Sequence, residues 1–158
     1  MTDFETLFSA LDSHGVEYIV VGGAAAIALG SARLTQDLDI VYHRAPENLD
    51  RLVAALSTFK PYLRGAPKGL PFRWDRETLQ RGLNFTLVTS VGDIDLLGEI
   101  AGGGTYSDLI ADVLSLQLFG GTSRCLSLEQ LIRAKRAAGR PKDLEVLAEL
   151  EALRDESE

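Results

Sequence analysis

The feature that most constrains the fold lies between Val20 and Tyr42, "VVGGAAAIALGSARLTQDLDIVY". An apolar run stops at Gly22-Gly23, passes through a helix-forming stretch ending at Gly30, and resumes as a run carrying Asp37 and Asp39. Aspartate is depleted in strands, and residues two apart on a strand project from the same face. Two adjacent carboxylates repel unless a cation, a proton or hydrogen bonds compensate. The strand therefore has an apolar face, Leu38 and Ile40, and a face whose carboxylates need a partner. "GDIDLL" repeats the arrangement with Asp93 and Asp95. If the two strands are neighbours, three or four carboxylates converge on one side of a sheet. Hard oxygen donors in that number suit Mg²⁺, which keeps several waters and takes a couple of carboxylates together with substrate phosphates. For either pair taken alone, a solvent-facing position at a strand end is the competing reading.

The rest of the chain supplies the scaffold. Phe4, Leu7, Phe8 and Leu11 recur at helical spacing, which predicts an amphipathic helix over residues 2–14 closed by Gly15. "VEYIVV" is β-rich, "GAAAIALG" reads as a short helix, and "DLDIVY" as a second strand. Pro46 opens a helix whose apolar stripe is Leu49, Leu52, Val53 and Leu56. Residues 60–72, rich in proline, read as an irregular or edge-strand segment. Two hairpins follow, turning near Val91-Gly92 and at Gly120-Gly121, with Gly102–Gly104 between them as a mobile loop that no helix clearly follows. Ser127 and Gln130 form a capping box for a helix, Pro141 breaks it, and Asp143 is placed to N-cap the last one. The fold class is α+β, one domain over 1–158, with a mixed β-sheet flanked by helices and a helical C-terminal subregion over 127–154.

With 158 residues, 46% hydrophobic and 25% charged, the chain can bury a real core. A single cysteine, Cys125, excludes a disulfide framework and a cysteine-rich zinc site. The acidic, amphipathic N-terminus is unlike a signal peptide and no apolar run spans a bilayer, which predicts a cytoplasmic protein with no membrane partner. A net charge of −7 argues against a general nucleic-acid coat protein. The charge is uneven, however: Lys60–Arg81 carries +4, Arg124–Lys142 carries +5, and the tail from Asp143 carries −6. His14, His43, Cys125, Trp74 and Tyr106 show no matched catalytic partner in sequence and read as surface or packing residues.

Gly22-Gly23 lies where a strand meets a helix N-terminus, a junction that lets phosphate approach free backbone N–H groups. It is neither a GxGxxG fingerprint nor a P-loop. A strand ending in Gly-Gly, a thirteen-residue spacer, Asp-Leu-Asp-Ile and a later strand aspartate together resemble the DNA polymerase β-like nucleotidyltransferases. "GSARLTQDLDIV" and "SLEQLIRAKRAAGRPKDLEVLAEL" look like the minimal, toxin-type branch of that superfamily, the AbiEii and MenT-like proteins. The likeness runs from Tyr18 to Leu150 and leaves 60–82 unmatched.

The resemblance implies the polymerase β-like fold and transfer of NMP from an NTP, with ATP among the candidates, to a hydroxyl. Asp37, Asp39 and Asp95 would be catalytic and bind two Mg²⁺ (or Mn²⁺) ions, with Asp93 the reserve third acid. Gly22, Gly23, Ser31, Arg33, Thr35, Lys135, Arg140 and Asp143 would bind nucleotide. On its own helix Lys135 borders the stripe of Leu128, Leu131 and Ile132, so it snorkels to water or reaches a ligand. In the family it reaches the triphosphate and acts in catalysis, and Asp143 orients it or Arg140. The acceptor would be an RNA or tRNA 3′ end or a protein hydroxyl, in a toxin paired with an antitoxin protein. An aminoglycoside-type nucleotidyltransferase shares the same Gly-Gly to Asp-x-Asp start and would have an acidic cleft for its cationic substrate. A non-catalytic nucleotide-binding module on the same fold is the reading from a different class.

Overall fold

The computed structural model describes residues 2–157. In chain order the elements are α1 (Phe4–Ser13), β1 (Tyr18–Val21), α2 (Gly22–Ala28), β2 (Asp37–Tyr42), α3 (Pro46–Leu56), β3 (Tyr62–Leu63), α4 (Arg76–Arg81), β4 (Phe85–Thr89) and β5 (Gly92–Leu97). They continue with β6 (Glu99–Ile100), β7 (Gly104–Thr105), α5 (Tyr106–Leu109), β8 (Leu114–Leu118), β9 (Gly121–Cys125), α6 (Leu128–Ala138) and α7 (Pro141–Ser157). Seven strands form one mixed sheet in the order β3-β4-β5-β2-β1-β9-β8, and β6 with β7 makes a small second one.

Local chemistry explains most boundaries. Asp3 caps α1 by accepting from the Thr6 N–H at 3.0 Å, and Pro46 occupies the first turn of α3, where its missing N–H costs nothing. The Ser127–Gln130 capping box opens α6 as its sequence predicts. Both hairpins form, β4 with β5 and β8 with β9, each antiparallel. The apolar alternates of the central strands (Leu38, Ile40, Ile94 and Leu96) are fully buried on one face, joined there by Leu49, Leu52 and Leu56 of α3. Period-2 alternation then sends Asp37, Asp39, Asp93 and Asp95 to the other face.

Four sequence expectations need correction. Gly102–Gly104 is not merely a loop: Gly104 enters β7 and pairs with Ile100, and a Cβ on Gly102 would meet the Arg133 carbonyl of α6 at 2.6 Å. A helix does follow it, the one-turn α5, held by a Thr105–Asp108 capping box. Asp143 is not the N-cap of α7. Pro141 is its first residue, so Asp143 lies inside the first turn and reaches back to the Arg140 N–H at 3.3 Å. His43 is half-buried rather than a surface residue, stacked on Tyr106 with ring centroids 4.7 Å apart and 3.3 Å from Glu17. Cys125 is a buried strand residue, as expected, and the Trp74 indole donates to the Val53 carbonyl at 2.9 Å in a packing role.

Asn48, fully buried, ties three elements together. Its Oδ1 accepts from the Glu17 N–H at 2.7 Å, while Nδ2 donates to the carbonyls of Glu17 at 2.9 Å and His43 at 2.7 Å. These bonds fix the start of α3 against the chain entering β1 and leaving β2. Asn48→Ala takes the partner from two part-buried backbone groups, the Glu17 N–H and the His43 carbonyl, while the Glu17 carbonyl keeps the His43 N–H. We expect a loss of about 1–3 kcal/mol in urea unfolding with no change in fold.

Candidate active site

The register of the central strands builds the site. β2 and β5 run parallel with Asp37 opposite Asp93 and Asp39 opposite Asp95, while β1 pairs antiparallel with β2 so that Val21 faces Asp39. One carboxylate oxygen from each of Asp37, Asp39 and Asp95 lies within 4.8 Å of the others. Asp95, rather than Asp93, completes this cluster. Thr2 braces its rim: the hydroxyl donates to the Gln36 carbonyl and accepts from the Asp93 N–H at 3.0 Å, linking the starts of β2 and β5.

Asp39 is the electrostatic centre. Burial, then the nearby Asp95 carboxylate and Asp37, push its carboxyl up to about 7, with Lys135 pulling the other way. Its Oδ1 is buried and has no hydrogen-bond partner. The other such side-chain atom among the described residues is Nε of Arg64, in the same cluster. Buried polar atoms are rarely left unsatisfied. Three converging carboxylates with an orphaned oxygen are the donor set a hard divalent cation requires, so the residues fit Mg²⁺.

The Gly-Gly turn serves this cluster directly. Gly22 has φ +64°, in the left-handed region, and a Cβ there would overlap the Asp39 carboxylate. A Cβ on Gly23 would meet Thr35 Oγ1 at 2.6 Å, and that hydroxyl donates to the Asp37 carbonyl at 3.1 Å. The spacer between Gly-Gly and Asp-x-Asp thus folds back so that its end packs on its beginning.

A cavity of about 240 Å³ opens beside Asp39. Gly22, Lys135, Arg140 and Asp143 line it, with Glu99 on its rim. Asp143, 1% exposed, organises the cationic side: it accepts from Arg140 Nε at 2.6 Å and from Lys135 Nζ at 3.3 Å. The Arg140 hydrogen bond, ahead of Lys135, holds the Asp143 carboxyl below its ordinary range despite burial. Sequence reasoning placed these residues together, and the α6–α7 turn does so. Ser31 and Arg33 are placed differently. Arg33 Nε pairs with Glu149 of α7 at 2.9 Å, Ser31 Oγ accepts from the Arg33 N–H at 3.1 Å, and neither residue lines this cavity.

Arg64 escaped the sequence reading. It immediately follows the two-residue strand β3, and its Nη2 donates to Asp95 Oδ1 at 2.8 Å and to the Leu87 carbonyl at 2.7 Å. Nη1 lies 3.6 Å from Asp37 and Nε 3.4 Å from Asp93. The sole sequence signal was its membership of the Lys60–Arg81 basic block.

No family model and no curated protein matches the sequence. Among solved structures, the chain is similar to a proposed nucleotidyltransferase (TM1012) from Thermotoga maritima, with 17% identity, a TM-score of 0.59 and 94% of each chain covered. It is also similar to ANT(2″)-Ia in complex with adenylyl-2″-tobramycin, at 18% identity and TM-score 0.58, covering 96% of this chain and 92% of that one. An antigenic nucleotidyltransferase-like protein from Paracoccidioides brasiliensis follows at 18% identity and TM-score 0.56, covering 97% and 78%. At such identities the likeness is one of fold. The chain has a nucleotidyltransferase fold, with a carboxylate triad suited to a metal on its central strands.

Proposed function

We propose that the protein is a metal-dependent nucleotidyltransferase that moves a nucleoside monophosphate from an NTP to a hydroxyl and releases pyrophosphate. The observation that carries the reading is the convergence of Asp37, Asp39 and Asp95 beside a cavity that also holds Lys135 and Arg140. Bound Mg²⁺ or Mn²⁺ would neutralise charge developing on the attacking and leaving oxygens of an in-line displacement. Asp37 and Asp39 would hold it, and Asp95 would complete the set and take the proton of the attacking hydroxyl. Lys135 and Arg140, held in place by Asp143, supply positive charge for the triphosphate. Gly22, which lines the cavity, lets the Asp39 carboxylate lie against the β1–α2 turn, and Gly23 does the same for Thr35. Arg33 would join only by releasing Glu149. Lys135→Ala should weaken binding of Mg-NTP about tenfold in calorimetry while the thermal midpoint stays within a few degrees; unchanged affinity would remove Lys135 from the site.

Two observations bear on the acceptor. Half of the twelve cations in the basic blocks are ion-paired within the protein. Arg76 pairs with Asp50, Arg81 with Glu77, Arg136 with Glu151, Arg140 and Lys135 with Asp143, and Arg64 with the strand aspartates. Lys60, Lys68, Arg73, Arg124, Arg133 and Lys142 stay exposed with no ion pair among the described residues, so cations for an RNA backbone, on which such affinity depends, remain. The second is a cavity of about 740 Å³ whose lining includes Asp93, Thr35 and Gln36, next to Asp37. It is lined by Asp3 and Glu5 as well as the apolar Phe4, Leu34 and Phe119, without a lysine or arginine. Among the described residues it shares no lining residue with the Lys135 cavity, and it meets the carboxylate cluster through Asp93 and the chain entering Asp37.

An amine-rich small molecule carrying a hydroxyl, of the aminoglycoside kind, complements the charge of this acidic cleft. The toxin-type reading, with an RNA, tRNA or protein acceptor and an antitoxin partner, rests on the motif likeness and on the exposed cations of the basic blocks. Incubation with each α-labelled NTP and, separately, tobramycin, total tRNA and a protein mixture tests the assignment. Label on tobramycin supports the cleft reading, and label on tRNA or protein restores the toxin-type one. Nucleotide binding without transfer to any acceptor would favour the non-catalytic module.

A further inference from the structure

The carboxylate cluster already contains a cation that belongs to the chain. Arg64 is fixed at its backbone, since its N–H donates to the Thr86 carbonyl at 3.0 Å and extends the β3–β4 pairing. From there the side chain, 27% exposed, reaches across β4 to the aspartates of β5 and β2. One guanidinium thus faces three carboxylates: Asp95 at 2.8 Å, Asp93 at 3.4 Å and Asp37 at 3.6 Å. The match is incomplete on both sides. Nε–H of Arg64 makes no hydrogen bond, and neither does Oδ1 of Asp39. A single positive charge cannot balance four neighbouring acids, and a planar fork cannot satisfy carboxylates converging from two strands.

Arg64 and a divalent cation would compete for the same carboxylates, those of Asp37 and Asp95. A metal brings twice the charge and a compact sphere that three carboxylates can surround. The segment after Arg64 does not bar the side chain's exit: Gly65 sits in open space, and residues 65–72 form no regular element.

We propose that Arg64 is a positioning residue of the metal centre. In the metal-free protein its guanidinium holds Asp37, Asp93 and Asp95 together against their mutual repulsion, and it withdraws from Asp37 and Asp95 when a divalent cation takes their oxygens. This rests on the metal-site reading given above. Metal affinity is then set by an exchange, in which each ion bound breaks charge-assisted hydrogen bonds that stabilise the empty site. A merely structural arginine would have no such effect on metal affinity.

The test is calorimetric titration of the full chain with MnCl₂, with the thermal midpoint measured in the absence of metal, for the wild type, Arg64→Gln and Arg64→Lys. Arg64→Gln should bind Mn²⁺ about tenfold more tightly, the equivalent of one charge-assisted hydrogen bond no longer broken, and should melt at lower temperature without metal. Arg64→Lys retains a charge but lacks the fork, and should fall between wild type and Arg64→Gln in both measurements. It carries the test should Arg64→Gln fail to fold. Mn²⁺ binding by all three proteins with unchanged or weaker affinity in the variants would overturn the role of Arg64 and leave the metal site standing. No Mn²⁺ binding by any of them, with NTP present, would overturn the metal site and the proposal together.

Discussion

Asp39→Asn should abolish nucleotidyl transfer and, in metal-free buffer above pH 7, leave the protein more stable than the wild type. Both effects have one origin. Asp39 is buried beside Asp95 and Asp37, which raises its carboxyl to about 7 against an ordinary value of 3.8. Between those values the folded protein binds a proton that the unfolded chain has released. Metal-free stability must therefore fall as pH rises from about 4 to about 7 and stay at the lower level above it. Asparagine keeps the volume, carries no charge and removes that slope. We expect the variant to match the wild type near pH 4 and to melt a few degrees higher at pH 8. Added Mg²⁺ should reverse the order, because it stabilises only the protein that retains its ligands. Thermal melts across pH with and without Mg²⁺ check this. A variant that melts lower at pH 8 and still transfers nucleotide would mean that Asp39 is a structural residue.

Gly22→Ala should be nearly as damaging by a steric route. The backbone at Gly22 is left-handed, which costs a residue with a Cβ about 1–2 kcal/mol. The added methyl also overlaps the Asp39 carboxylate, so either the carboxylate or the β1–α2 turn must shift. A displacement on the order of 1 Å at a reacting centre costs about a hundredfold in rate. We expect a total destabilisation of about 3 kcal/mol in denaturant unfolding and at least a hundredfold loss of transfer. Gly23→Ala provides the contrast. Its clash is with the Thr35 side chain, so its effect on transfer should be smaller than that of Gly22→Ala. Equal losses for the two would show that the glycines serve the turn rather than the carboxylate.

The centre of the site was legible in sequence because it depends on short-range rules. Alternation along a strand put Asp37 with Asp39 and Asp93 with Asp95, and the buried residues between them fixed which face was polar. A parallel β2–β5 pairing was then enough to bring the two pairs together. Lys135, Arg140 and Asp143 were legible because a capping box and a proline bound one helical turn-around. What the sequence concealed depends on distant pairing. Arg64 reaches the site through a two-residue edge strand that carries almost no periodic signal. Arg33 is held by Glu149, and Arg136 by Glu151, both on a helix whose acidity looked like a solvated tail. Part of the second basic block is therefore paired with the acidic tail, Lys135 and Arg140 with Asp143 and Arg136 with Glu151. The acidic lining of the larger cavity, Asp3, Glu5 and Asp93, is what draws the acceptor reading towards a cationic small molecule.

A site built to hold a divalent cation is unstable without one, as the raised carboxyl of Asp39 indicates, and holding like charges together for function costs stability. Arg64 offsets that cost on the Asp37–Asp95 side and leaves Asp39 uncompensated.

Anomalous diffraction from crystals soaked with Mn²⁺ and a non-hydrolysable NTP analogue tests the metal centre most directly. The expected result is a peak bounded by the carboxylates of Asp37, Asp39 and Asp95 at coordination distance, with the triphosphate beside Lys135 and the Arg64 guanidinium moved away from Asp37 and Asp95. Nucleotide bound elsewhere, with no anomalous peak among the three carboxylates, would contradict it.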